Sequence, residues 1–169
     1  MNIRTALEND FEAIYNLVKT AFETAKVSDG TEQDFVLDLR SRSTYIPHLE
    51  FVAEEDGNLI GHILLTEAHI NTNKNASFLL VAPLCVDIEH RNCGIGAALM
   101  EHALNKGKEL GYDAALLVGD PAYYSRFGFA EIKSLGLTND TGLPDMFVLG
   151  LKLTPSTFKD LSGSVSHLG

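Results

Sequence analysis

Residues 84–100 read Leu-Cys-Val-Asp-Ile-Glu-His-Arg-Asn-Cys-Gly-Ile-Gly-Ala-Ala-Leu-Met. An apolar stretch gives way to a polar turn with Gly94 and Gly96, and a helical pattern begins there. The unpaired N–H groups at a helix N-terminus, together with the helix dipole, attract anions. Glycine at 94 and 96 removes side chains that would hold a phosphate away from the backbone. Arg91 adds a planar fork of donors suited to phosphate oxygens. Two familiar phosphate motifs do not fit: a dinucleotide fingerprint needs a glycine where Leu99 stands, and no Gly-Lys-Ser/Thr follows. Taken alone, the glycine pair is compatible with a phosphate cradle or with a plain tight turn.

Other reactive side chains point less far. Cys85 falls in the apolar stretch and reads as a small core residue. Neither Cys85 nor Cys93 has a second Cys or His beside it at metal-ligand spacing, so no metal site is expected.

The elements that must position these groups follow from periodicity. Asn2 to Ala6 fits an edge strand. Phe11, Ile14, Tyr15, Val18, Ala21 and Phe22 recur at helical spacing, and Val27 to Gly30 breaks the pattern. Thr31 is placed to cap a second helix carrying Phe35, Val36 and Leu39, and Pro47 closes the region. Phe51 to Glu55 and Leu59 to about Ile70 form a hairpin through Asp56-Gly57-Asn58, whose residues tolerate positive φ. Asn71 to Asn75 reads as a turn. Phe78 to Ile88 is apolar enough for a central strand, with Pro83 opening the ladder on one side. A third helix from Ile95 ends at Gly111. Ala114 to Gly119 is another buried strand. Asp120-Pro121 starts a short helix that Gly128 ends, and Met146 to Lys152 is the last strand. The tail from Thr154 to Gly169 is Ser- and Gly-rich and is expected to be loosely held. The alternation implies an α/β fold around a mixed sheet.

A chain of 169 residues with 45% hydrophobic and 21% charged residues fits a single globular domain with a substantial core. No run approaches the roughly 18 apolar residues of a membrane span. Glu8 and Asp10 stand where a signal peptide would carry its apolar segment, so a cytoplasmic protein is expected. Lys plus Arg total 13 against 23 Asp plus Glu, a net charge of −10, which disfavours nucleic acid as a partner. The excess is concentrated: residues 1–60 hold 12 acids and five bases, and residues 101–169 hold eight and six. Either that face is simply solvated or it attracts cations.

The ordered elements also carry a family resemblance. Arg91-x-x-Gly94-x-Gly96 after a Leu84-x-Val86 strand resembles the acyl-CoA signature of the GNAT superfamily of N-acetyltransferases. Strand Ala114–Gly119 followed by Tyr123-Tyr124-Ser125-Arg126-Phe127-Gly128-Phe129 is similar to its second signature, a Tyr four residues before a Gly-Phe pair. Ile3-Arg4 and Asp10 at the first helix agree with its opening. The resemblance covers residues 2 to 152 and implies a transferase domain over 1–153 with residues 154–169 as an extension.

It implies a mixed sheet of about six or seven strands, helices on both faces, splayed between its fourth and fifth strands, Phe78–Ile88 and Ala114–Gly119. Acetyl-CoA would be the acyl donor, without a metal. Main-chain groups of Leu84, Cys85 and Val86 would hold the pantetheine arm. Amides of Asn92, Cys93, Gly94, Ile95, Gly96 and Ala97, with Arg91, would take the pyrophosphate. Tyr124 matches the family's general acid. An alkyl amine, whose pKa is about 10, must lose a proton before it attacks the thioester. A backbone N–H, Val86 by expectation, would face the oxyanion, and Tyr124 would protonate a leaving thiolate of pKa about 8.5.

The base is not identified. Some family members carry a Glu eleven residues before the signature, where this chain has Leu80. Glu54, Glu55, Glu67 and His69 are substitutes, each also readable as an ordinary strand residue. Asp87 and Glu89 would repel the donor if they faced it. Tyr123, Arg126, Lys106, Lys108, Phe127 and Phe129 have simpler readings as surface or core. The acidic N-terminal third suits a cationic amine, small molecule or protein-borne. A homodimer is compatible with the family. Two other readings stand beside the enzyme: a CoA-binding or sensing module without turnover, and an α/β protein using the turn for another nucleotide.

Overall fold

The computed structural model describes residues 1–25 and 28–168. Val27, the expected start of the break after the first helix, and Gly169, the end of the tail, lie outside them. In chain order the strands are Asn2–Thr5 (β1), Tyr45–Glu55 (β2), Asn58–Ala68 (β3), Asn71–Thr72 (β4), Phe78–Val86 (β5), Ala114–Val118 (β6), Ala130–Glu131 (β7), Leu137–Asn139 (β8), Val148–Lys152 (β9) and Gly163–Val165 (β10). The α-helices are Phe11–Phe22 (α1), Glu32–Ser41 (α2), Ile95–Glu109 (α3) and Pro121–Tyr124 (α4). A seven-stranded sheet has the order β1-β2-β3-β5-β6-β9-β7, and a three-stranded sheet the order β4-β10-β8. β5 and β6 run parallel while β1–β2, β2–β3, β6–β9 and β7–β9 are antiparallel, so the large sheet is mixed, as expected.

The chain forms two compact units. One comprises residues 1–66 and 82–103, the other residues 67–81 and 104–169.

In the first unit, α1 and α2 bury Ile14, Val18, Val36 and Leu39 against Val52, Leu64 and Cys85. Alternation along β3 sends Gly61 to the opposite face. There a Cβ would stand 2.8 Å from Leu99 and 3.0 Å from Ile95, so glycine lets α3 approach closely. Helices therefore cover both faces of this part of the sheet. Asp56 and Gly57 turn the β2–β3 hairpin at φ 49° and 78°.

Two expectations need correction here. Pro47 does not close the helical region; it lies within β2, which starts at Tyr45. The β2–β3 register is irregular between Tyr45 and Glu50, and β1 pairs only with Phe51 to Glu54, so the missing proline donor breaks no ladder bond to β1. Thr31 stands at the N-cap of α2, but its hydroxyl donates to Asp29 Oδ1 at 2.5 Å instead of capping the helix.

In the second unit, β5 and β6 pair from Phe78↔Ala114 to Leu80↔Leu116. β6 continues to Val118 in this unit; β5 passes into the first unit at Ala82, where the Ala82–Pro83 peptide is cis, and ends at Val86. The last strand of the large sheet in sequence starts at Val148, because Asp145–Phe147 form a 3-10 turn. The tail is not loosely held. Phe158, Leu161 and Val165 are buried with Phe78, Leu116, Leu135, Leu137 and Val148, and β10 pairs with β4 and β8. Its apolar residues are widely spaced among Ser and Gly, which hides them from a composition reading. No described helix is long and apolar enough to cross a membrane.

Candidate active site

In the first unit, β5 ends at Val86 and leads into one 3-10 turn, Ile88–His90. Asp87 caps it, accepting from Glu89 N–H at 3.3 Å and from His90 Nδ1 at 2.7 Å. The Asp87 carboxylate is thus engaged locally. Asn92 and Gly94 then adopt left-handed backbone, φ 60° and 79°, and Asn92, Cys93 and Gly94 are exposed. Nothing lies within 4 Å of a Cβ built on Gly94, so its backbone conformation is what calls for glycine.

Gly94 C=O accepts from Ala98 N–H at 3.0 Å, the first bond of α3. The N–H groups of Ile95, Gly96 and Ala97 accordingly stand in the first turn, where a helix has no internal acceptors for them. With the dipole they form a main-chain donor set of the kind a phosphate accepts from.

Arg91 is held differently from the expectation of a free fork. Its Nη2 donates to Ala21 C=O at 2.6 Å, Nη1 to Thr24 Oγ1 at 3.0 Å and Nε to Val86 C=O at 3.4 Å. The side chain ties the end of α1 to the end of β5 and braces the turn. Burial pushes the Cys85 thiol up to about 12, which fits a core residue and not a nucleophile.

The second unit holds Tyr124. β6 ends at Val118, and Asp120 caps α4 by accepting from Ala122 N–H at 2.9 Å. Pro121 occupies the first turn, and Gly128, φ 94°, ends the following 3-10 turn Ser125–Phe127. The half-buried Tyr124 ring stands edge-on to Tyr123 at 4.9 Å and to Phe129 at 6.1 Å. Burial, then the neighbouring Tyr123, raises its phenol to about 12. Such a group stays protonated at neutral pH and can donate. Arg126 lies over the Tyr123 ring at 4.4 Å.

The candidate bases are all engaged or exposed. Glu54 accepts from Arg4 Nε at 2.8 Å. Glu55 lies 3.6 Å from the terminal amine and 3.9 Å from His90 Nε2. Glu67 accepts from the Tyr112 hydroxyl at 2.6 Å, and with the exposed His69 it lines a cavity of about 500 Å³. Leu80, at the family's Glu position, is buried.

One group of charged residues had no signal in the sequence. Glu50 and His62 are fully buried in the first unit, and the Glu50 carboxylate accepts from Arg40, Tyr45 and His62. Only the β2–β3 register brings them together. Among the described residues no three His, Cys, Asp or Glu side chains group to hold a metal.

A family model described as acetyltransferase (GNAT) domain matches residues 2–132. The Escherichia coli (strain K12) protein named Uncharacterized N-acetyltransferase YhbS is 33% identical over 130 residues, which cover 76% of this chain and 73% of that protein. The crystal structure of the Escherichia coli GNAT family N-acetyltransferase YhbS in complex with CoA superposes with a TM-score of 0.85 at 27% identity, covering 96% of this chain and 87% of that one. A Brucella melitensis GNAT family acetyltransferase in complex with acetyl-CoA gives 0.74 at 26% identity, covering 89% and 86%.

Proposed function

The chain belongs to the GNAT family of acetyl-CoA-dependent N-acetyltransferases, and from that premise we propose that it acetylates a cationic amine by direct attack on the thioester, with Tyr124 as general acid. The observation that carries the proposal is the left-handed turn at Asn92 and Gly94, which delivers the unpaired amides of Ile95, Gly96 and Ala97 at the start of α3. These amides, with those of Asn92, Cys93 and Gly94, would hold the pyrophosphate. CoA and acetyl-CoA in the two superposed structures support the donor. Arg91 acts in this scheme chiefly through the turn it braces. Main-chain groups of Leu84, Cys85 and Val86 would orient the pantetheine arm, and the Val86 N–H would face the oxyanion.

The neutral amine nitrogen forms the new C–N bond, the C–S bond breaks, and the Tyr124 hydroxyl gives its proton to the departing thiolate. The amine's own proton leaves to solvent, and the Tyr124 phenolate takes one back from it. A phenol raised to about 12 is fully protonated for this step at neutral pH.

A cationic acceptor is supported by charge. Residues 1–60 carry 12 acids against five bases, and Arg4, Arg40 and Arg42 are each paired with an acid of that segment. The remaining acids there give a negative field that attracts ammonium groups.

Thiol release from acetyl-CoA across polyamines, aminoglycosides, basic amino-acid amides and anionic amines tests this reading. Faster turnover of the cationic members at low salt is expected; equal turnover of both classes would remove the cation preference. Tyr124→Phe should lower kcat by roughly 10- to 1,000-fold with little change in CoA affinity. An unchanged kcat would take Tyr124 out of its role.

A further inference from the structure

The ring of Tyr124 lies directly on the backbone of Gly119. A Cβ at position 119 would stand 2.3 Å from Tyr124 Cε2 and 2.8 Å from Cδ2. The backbone of Gly119 is outside the left-handed region, so φ does not call for glycine there. The phenol does. Cε2 is bonded to the carbon that carries the hydroxyl, so the edge in contact with Gly119 is the edge that sets where the proton sits.

Both partners of this contact are fixed. Gly119 N–H donates to Phe147 C=O at 2.9 Å, and Tyr123 and Tyr124 N–H both donate to Asp120 C=O at 3.1 Å. The chain thus folds back over the end of β6 within one turn. Tyr123 and Phe129 stand edge-on to the ring, at 90° and 73°. Among the described residues no side chain hydrogen-bonds to the Tyr124 hydroxyl, so ring packing alone sets its position. From this geometry we infer that Gly119 is a positioning residue for the general acid: its bare Cα is the floor that places the Tyr124 hydroxyl. The inference rests on the reading of Tyr124 as the acid.

An alanine at 119 forces the ring back by about 1 Å, a misplacement that can cost about 100-fold when it falls on a reacting group. The test is a four-member cycle of wild type, Gly119→Ala, Tyr124→Phe and the double variant, assayed by thiol release from acetyl-CoA with the fastest amine of the panel. Gly119→Ala is expected to lower kcat by about 10- to 100-fold with KM for acetyl-CoA within about two-fold. In the Tyr124→Phe background the same change should lower kcat no further, because the group it displaces no longer carries the proton. A purely structural glycine would instead give additive losses.

An unchanged kcat in Gly119→Ala alongside a fall in Tyr124→Phe overturns the inference and leaves the acid in place. An unchanged kcat in Tyr124→Phe overturns both. Thermal melts keep the steric claim open to test without activity. Gly119→Ala should lower Tm, and most of the drop should vanish in a Tyr124→Ala background, where only Leu117 Cδ1, at 3.3 Å, is left beside the new methyl. A drop of equal size in that background, or a double variant that stays unfolded where Tyr124→Ala folds, overturns the contact.

Discussion

Glu50 Oε1 and His62 Nε2 meet at 2.8 Å with both side chains completely buried. A carboxylate can only accept, so Nε2 carries the ring proton and Nδ1 is left buried without a partner among the described residues. Arg40 Nη2 donates to the same oxygen at 2.5 Å, the Tyr45 hydroxyl donates to Oε2 at 2.7 Å, and the Arg40 guanidinium rests 3.7 Å above the Phe11 ring. The cluster joins α2 to the β2–β3 hairpin of the first unit through charge.

Removing the negative member should be costly. Glu50→Gln leaves the nearly buried Arg40 cation without its counter-charge, and breaking a buried pair in this way costs about 3–5 kcal/mol. Urea denaturation at pH 7 should show that loss as a lower midpoint with an unchanged slope. A loss below about 1 kcal/mol would mean that water reaches Arg40 and screens it.

The same pair makes stability fall with acid. Burial lowers the His62 imidazole pKa, and hydrogen bonding to Glu50 only partly opposes it, so the folded protein holds His62 neutral. The unfolded chain takes up a proton at about 6.5, which favours unfolding as pH drops below that value. For Glu50, burial would raise the pKa, but hydrogen bonds from His62, Arg40 and Tyr45 outweigh it and hold the carboxyl at about 2. Its contribution is complete above the unfolded value near 4.5 and is lost as pH falls from there towards about 2. His62→Gln, which can still donate to Glu50 but does not titrate, should flatten the stability profile between pH 7 and 5 and leave the lower decline. A profile as steep as wild type would place the titration on another histidine.

Much of the molecule was legible because local rules decided it. Asp56-Gly57, Gly111 and Gly128 adopt the positive φ their types suggested, and Asp120 and Pro121 start α4 as their positions required. The Arg91-to-Gly96 pattern and the tyrosine before Gly128-Phe129 marked the family because both follow strand ends. What stayed hidden depends on pairing across long separations. Glu50 and His62 meet only through the β2–β3 register, Arg91 finds an acceptor at the end of α1, and Phe158 finds a core that residues from Phe78 to Val148 build. Gly119 looked like an ordinary strand end, since nothing in its own neighbourhood announces that a ring from Tyr124 will land on it.

The tail offers a direct check on packing. Phe158 is 8% exposed, stands edge-on to Phe78 at 6.3 Å, and shares its cluster with Leu161 and Val165. Phe158→Ala should destabilise by about 3 kcal/mol, the lower end for an aromatic truncation because a little of the ring is exposed. A chain ending at Leu153 should lose the cooperative transition of the second unit, read by near-ultraviolet circular dichroism during a melt. A cooperative melt unchanged by that truncation would show that the tail packs without stabilising.

The phosphate turn separates two contributions that a signature alone lumps together. Gly96→Glu brings bulk and negative charge into the first turn of α3 and should abolish CoA binding, a loss of at least 100-fold by titration calorimetry given the cost of placing like charges together at short range. Arg91 spends its donors on Ala21, Thr24 and Val86, so Arg91→Gln removes the brace and not the main-chain donors. Its CoA affinity should fall less than about ten-fold, because the three bonds it loses are made within the free protein, and their loss of about 1 kcal/mol each falls on the stability of the turn and not on contacts to CoA. Its residual binding should still weaken with added salt, because phosphate contacts from helix-terminal amides are electrostatic and screened. If Arg91→Gln loses as much affinity as Gly96→Glu, the guanidinium leaves α1 when CoA arrives, and the phosphates are held by the side chain as well as by the turn.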